Sequence, residues 1–241
     1  MYNKEYFKKY YQENKEKINK RNNEYKKQYD LKNKEKKKEY AKQYDLKNQE
    51  KLKEKRKIYK FNKRIIVYNH YCNGDARCQR CGETNIKCLS IDHINSGGRK
   101  HRKEINNRSL PIWLIQNCFP KGFQILCMNC QFIKRVEEKE CGGSGKRAYK
   151  YRLNQKMEVY NHYCNGDIKC KKCGMTDIRC LSIDHIDGGG RKHRKELKNN
   201  FLPKWIIDNN FPEGFQVLCM NCQFKKRVEN NECCAIDAIR K

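Results

Sequence analysis

The sequence predicts a small α+β protein: two metal-stapled units in tandem, preceded by a long basic helix. Three observations predict it. Residues 67–141 recur at 159–233, offset by 92 positions without a gap, and 53 of the 75 aligned pairs are identical. Each copy carries two C-x2-C pairs separated by 45 residues. The first 62 residues contain no Gly, Pro or Cys and hold 22 Lys+Arg against 10 Asp+Glu, a net of 22 − 10 = +12. A fixed repeat of this kind marks one structural unit made twice.

The N-terminal segment, 1–62, is rich in helix formers and poor in core residues. QYDLKN occurs at 28–33 and 43–48, and tyrosines pair four residues apart as Tyr6/Tyr10, Tyr25/Tyr29 and Tyr40/Tyr44. A 15-residue period drifts around a helix, so the tyrosines do not mark one buried face. The segment reads as one long or interrupted exposed helix. It serves either as a charged spacer or as an arm that tracks phosphates and offers rings for stacking.

The first repeated unit occupies 63–141, a Gly/Ser-containing linker 142–154, the second unit 155–233 and a tail 234–241. In the first copy Ile65 to Tyr71 reads as a short helix leading to the knuckle Cys78-Gln79-Arg80-Cys81-Gly82. Lys87 to Ile94 reads as a strand, which Asn95-Ser96-Gly97-Gly98 ends, with a basic loop after it. Leu110 to Phe119 forms a helix with Pro111 at its start. Gly122 to Leu126 returns as a strand, and Cys130 to Glu140 is helical. Gly142-Gly143-Ser144-Gly145 supplies a hinge.

Units this small bury only ~60% of the surface of the unfolded chain, so a metal clip or crosslink is often needed to offset chain entropy. The charged N-terminus has no apolar signal segment, and no run is apolar enough to span a membrane. The expected setting is therefore a reducing compartment, cytoplasm or nucleus, where C-x2-C pairs read as metal ligands. Cys78, Cys81, Cys127 and Cys130 form one set, and Cys170, Cys173, Cys219 and Cys222 the other. Four thiolates suit tetrahedral structural zinc, giving two ions per chain. Cys72, Cys88 and Cys141, with Cys164, Cys180 and Cys233, read as buried small residues rather than a further site. Cys118 and Cys234 have no counterparts.

The formal charge of +28, from 56 Lys+Arg against 28 Asp+Glu, points to a polyanionic partner, the alternative being a merely soluble basic surface. Lys- and Asn-heavy composition hints at an AT-rich genome such as a virus carries. Each first strand ends in Asp-His, as Asp92-His93 and Asp184-His185, followed by a glycine-led basic stretch. Neighbouring strand residues face opposite sides, so Asp and His cannot both enter the core. A carboxylate that can hold Mg²⁺ or Mn²⁺ beside an imidazole that can take a proton supplies the parts for metal-assisted phosphodiester hydrolysis. Arg99, Lys100, His101 and Arg102, with Arg191, Lys192, His193 and Arg194, are the candidate phosphate contacts. His101 and His193 either bind phosphate or the leaving oxygen, or are solvated loop residues. His70 and His162, beside tyrosines on a packing helix, read as structural.

These motifs, CxxCG from Cys78, LSIDHIxxGGRKHRKE from Leu89 to Glu104 and GFQxLCMNC from Gly122 to Cys130, each repeated in the second copy, resemble the zinc-containing HNH endonucleases of the ββα-metal, endonuclease VII-like group. The resemblance covers nearly all of both units and none of residues 1–62. It implies a ββα unit gripping one divalent ion opposite the scissile phosphate, with Asp92 and Asp184 as metal ligands and His93 and His185 as general bases. The family's asparagine after the last cysteine, which completes the metal site, is Gln131 here and Gln223 in the second copy. Glutamine carries its carboxamide one methylene farther out. The leading expectation is thus a metal-dependent DNA endonuclease whose two linked units form a pseudo-dimer within a monomer. The competing one is a nucleic-acid-binding or packaging protein that keeps the zinc modules without turnover, and an RNA-directed protein is a third.

Overall fold

The computed structural model describes residues 4–106, 108–140, 146–197 and 201–230. The expected hinge at 142–145, the tail at 234–241, and Cys141, Cys233 and Cys234 lie outside the described residues. The chain divides into two compact units, Met1–Arg56 and Lys57–Lys241.

The first unit is helical. It contains α1 (Lys4–Lys32), α2 (Lys34–Lys47) and the start of α3 (Gln49–Tyr71). Helices α1 and α2 bury none of their residues, as a Lys/Glu sequence without an apolar stripe requires. The interruptions fall on the asparagines that end the two QYDLKN motifs. The Asn33 and Asn48 side-chain amides donate to Tyr29 O and Tyr44 O, each at 2.9 Å, and so compete with the backbone for the helical carbonyl. The three tyrosine pairs stack, with ring centroids 6.5 Å apart in each.

In the second unit each copy repeats one order of elements. The first has the end of α3, β1 (Leu89–His93), α4 (Gly98–Glu104), α5 (Leu110–Gln116), β2 (Phe123–Cys127) and α6 (Met128–Glu137). The second has α7 (Lys146–Tyr163), β3 (Leu181–His185), α8 (Gly190–Glu196), α9 (Leu202–Asp208), β4 (Phe215–Cys219) and α10 (Met220–Glu229). Strands β1 and β2 pair antiparallel with Leu89 opposite Cys127 and His93 opposite Phe123, and β3 and β4 repeat the register. The architecture is α+β, with two small antiparallel sheets and two clusters of four cysteines. No helix among the described residues is long and apolar enough to cross a membrane.

Three local expectations need correction. The stretch after the glycines is not a loop: Gly97, in the left-handed region at φ 84°, starts α4. The first strand begins at Leu89 because Ile86–Cys88 is a 3-10 turn, fixed by the Asn85 side chain accepting from Lys87 N. Helix α6 begins at Met128, capped by the Cys127 sulfur, which accepts from Cys130 N at 3.5 Å.

Cys88, Leu89, Ile125 and Leu126 close over Tyr68 in the first copy, and Cys180, Leu181, Val217 and Leu218 over Tyr160 in the second. Each buried leucine or isoleucine contributes about 1.5–3 kcal/mol. The two tyrosine hydroxyls are satisfied by Leu89 O at 2.7 Å and Leu181 O at 2.6 Å. Burial pushes the Tyr68 phenol up to about 12.

The copies pack face to face through α6 and α10. Asn129 N donates to Asn221 Oδ1 and Asn221 N to Asn129 Oδ1, both at 2.9 Å, an exchange of the kind a two-fold axis produces. Met220 and Phe224 join the first core, and Phe132 and Ile133 the second. Arg179 meets Glu137 at 3.1 Å, and Lys225 meets Glu83 at 3.0 Å. The positions equivalent to Glu83 and Lys225 hold Met175 and Ile133, both packed against the second core.

Candidate metal centres and a histidine cleft

The turn after each knuckle and the start of α6 or α10 bring four sulfurs together from two distant segments. In each copy one sulfur from every cysteine lies within 4.8 Å of the others. Cys81 and Cys127 are 3.6 Å apart, as are Cys173 and Cys219. Tetrahedral Zn–S bonds of ~2.3 Å place sulfurs ~3.8 Å apart, so the spacing suits one ion per cluster. Sulfur–sulfur hydrogen bonding, chiefly with Cys127, pulls the Cys78 thiol far below its usual range and pushes Cys130 far above it. Both groups can hold a metal ion, consistent with two structural zincs.

The remaining described cysteines divide. Cys88 and Cys180 are fully buried, and desolvation pushes each thiol up to about 12. Cys72 and Cys164 are only half-buried, contrary to the expectation, their sulfurs facing Arg77 O at 3.3 Å and Lys169 O at 3.6 Å. Cys118 is exposed.

Asp92, nearly buried, and His93 both line a cleft of about 700 Å³. His93 Nε2 and His101 Nδ1 are 2.9 Å apart, and His185 and His193 repeat the pair at 2.8 Å. His101 is therefore not a solvated loop residue. It is half-buried against Trp113, with ring centroids 4.4 Å apart, and its Nε2 is buried without a hydrogen-bond partner. Burial, then the neighbouring histidine, lowers the pKa of His93 and of His185. Gly98 packs directly on the ring: a Cβ there would come within 2.9 Å of His93 Nδ1, and one at Gly190 within 2.8 Å of His185 Nδ1.

Of the expected basic contacts, Arg99, His101 and Arg102 line the cleft, joined by Arg108 and Arg135. Lys100 and Lys192 do not join them; they are exposed and sit 4.0 Å from Glu104 and Glu196. Arg191 and Arg194 are exposed on α8 beside the second histidine pair.

The carboxylates are where the arrangement departs most from expectation. Asp92 Oδ2 accepts from Lys134 Nζ at 2.7 Å and from Gln124 Nε2 at 2.9 Å, while Oδ1 faces Gln131 Nε2 at 3.4 Å. Lys134 also donates to the His93 carbonyl, and its side chain is only 8% exposed. Gln131 Oε1, the atom expected to ligate a divalent ion, instead accepts from Ser90 at 3.3 Å. In the second copy Asp184 takes Lys226 at 2.5 Å, Gln216 at 2.9 Å and Gln223 at 3.4 Å. The donors around each aspartate thus form an ion-pair cage, a poor fit to a catalytic Mg²⁺ or Mn²⁺.

Sequence reasoning missed Lys134, Lys226, Gln124 and Gln216. The available signals were the placement of Gln131 and Lys134 three residues apart, on one face of a helix, and the position of Gln124 directly across the strand pair from Asp92. No known family, curated protein or solved structure matches this chain.

Proposed function

We propose that the chain is an HNH-type endonuclease that hydrolyses DNA phosphodiester bonds, with one structural zinc in each copy. The observation that carries the reading is the duplicated histidine pair, a half-buried imidazole with depressed pKa that in the first copy opens on an arginine-lined cleft. A base must be neutral to accept a proton, and burial keeps His93 so at neutral pH. In the tautomer that donates Nε2–H to His101 Nδ1, the nitrogen left to act is Nδ1, beside which Gly98 places no side chain. It takes a proton from water as the water oxygen bonds to phosphorus. The bond from phosphorus to the leaving oxygen breaks, and that oxygen takes up a proton from solvent. Arg99, Arg102, Arg108 and Arg135 supply the positive charge that meets the phosphate. Four converging sulfurs per copy support zinc. The aspartate cages do not support a catalytic divalent ion.

One observation favours the second reading, a DNA-binding protein without turnover: Asp92 is saturated by Lys134, Gln124 and Gln131. Supercoiled plasmid incubated with zinc-loaded protein, with and without Mg²⁺ or Mn²⁺, separates the two. Nicking that disappears in His93→Ala/His185→Ala supports the nuclease; binding with no nicking in any buffer leaves the packaging role.

A further inference from the structure

We infer that Lys134 and Lys226 occupy the seats a divalent cation would take, so that the two Asp–His sites work without one. This inference rests on the proposed phosphodiester chemistry but is tested apart from it. Three observations meet at the same atoms. Both oxygens of Asp92 are already used, Oδ2 by Lys134 and Gln124 and Oδ1 by Gln131. The Lys134 ammonium bridges this carboxylate and the His93 carbonyl, which ties the acid and the base to one cation. The carboxamide oxygen of Gln131 is turned away to Ser90, so a metal entering here would find neither a free carboxylate nor the amide oxygen.

The geometry belongs to the backbone rather than to a chance rotamer. Helix α6 begins at the cysteine cluster and presents Gln131 and Lys134 on successive turns toward β1. Helix α10 repeats the placement with Gln223 and Lys226, and the Lys226 side chain is again only 8% exposed. A polar side chain this buried needs a partner, and each lysine has its carboxylate in contact. A divalent ion placed on Asp92 would face that ammonium at close range, and expelling it would strand a lysine in the interior. Among the described residues, groups of three or more His, Cys, Asp or Glu able to hold a metal ion are the two cysteine clusters and no others. Asp92 and Lys134 together are charge-neutral, so the cleft arginines carry the charge toward phosphate. Lys134 is a positioning residue that fixes the carboxylate and the strand end bearing His93.

The test uses the full chain loaded with zinc and titrated with Mn²⁺ alone, followed by the amplitude of the free-ion paramagnetic resonance signal. The wild type is expected to leave that amplitude unchanged, whereas Lys134→Ala/Lys226→Ala frees the aspartates and depletes it. Tight Mn²⁺ uptake by the wild type that Asp92→Asn/Asp184→Asn abolishes would overturn the inference, and because it concerns the wild type it stands even if the lysine variant does not fold. In the plasmid assay, protein dialysed against chelator and still holding its zinc is expected to nick at a rate that Mg²⁺ leaves unchanged. A rise of about a hundredfold on adding Mg²⁺ would overturn the inference while leaving the nuclease reading intact. Absence of nicking in every buffer would refute the nuclease reading, and the Mn²⁺ titration would still decide the occupancy of the seat.

Discussion

His93 and His185 each meet another imidazole at Nε2, while Nδ1 faces a glycine whose missing Cβ leaves it room. Replacing both with alanine should leave zinc content and melting temperature unchanged and remove nicking, about a 10²–10⁴-fold loss for a general base. Gly98→Ala/Gly190→Ala should fold, bind DNA and cut poorly, because the added methyl crowds the nitrogen that meets water; an unaltered cleavage rate would place the base elsewhere. The depressed histidine pKa sets the sign of the pH dependence. With the folded pKa below 6.5, the neutral base persists into mildly acid solution, and cleavage should fall only as pH drops through that lowered value. A limb in kcat/KM above 6.5 would contradict it. The Asp-His pair was legible because it stands at a strand end beside glycines, twice. Lys134 was not, because its partner lies 42 residues away and a lysine in a basic helix reads as surface.

At the scale of elements, the cysteine cluster and the histidine cleft share a support. Cys127 is at once a cluster sulfur and the cap of α6, the helix that carries Gln131 and Lys134. Cys78→Ser, or zinc removal, should therefore unfold the copy it touches, since metal binding of about 10 kcal/mol or more is folding energy in such units. Circular dichroism against zinc content checks this. The first strand was legible from its β-favouring residues and the glycines that end it, and α5 from the proline at its start. Helix α4 was not, because GRKHRKE has no apolar period and its start depends on one left-handed glycine. The asparagine exchange also lay beyond sequence reasoning, which left the pairing of the copies to the hinge. Asn129→Ala/Asn221→Ala strands two buried amides and should cost about 1–3 kcal/mol for each, seen as a lower melting temperature.

For the whole molecule, charge and duplication set different tasks for the two units. Residues 1–56 have no buried face on α1 or α2 and expose most of their tyrosines and lysines. Deleting them should weaken DNA affinity and flatten its dependence on salt, since the slope falls by about one unit for every phosphate the protein ceases to neutralise. An unchanged slope would mean that this segment does not touch the backbone of the nucleic acid. The bulk of the second unit was readable because a repeat must build the same thing twice. How the two halves would meet was not, because reciprocal contacts leave no periodic trace along a chain. Where Glu83 faces Lys225, the mirrored corner holds Met175 and Ile133. A first half pairing with another first half would set a carboxylate against isoleucine, and two second halves would set an ammonium against methionine. The halves are thus lock and key to each other and strangers to their own kind.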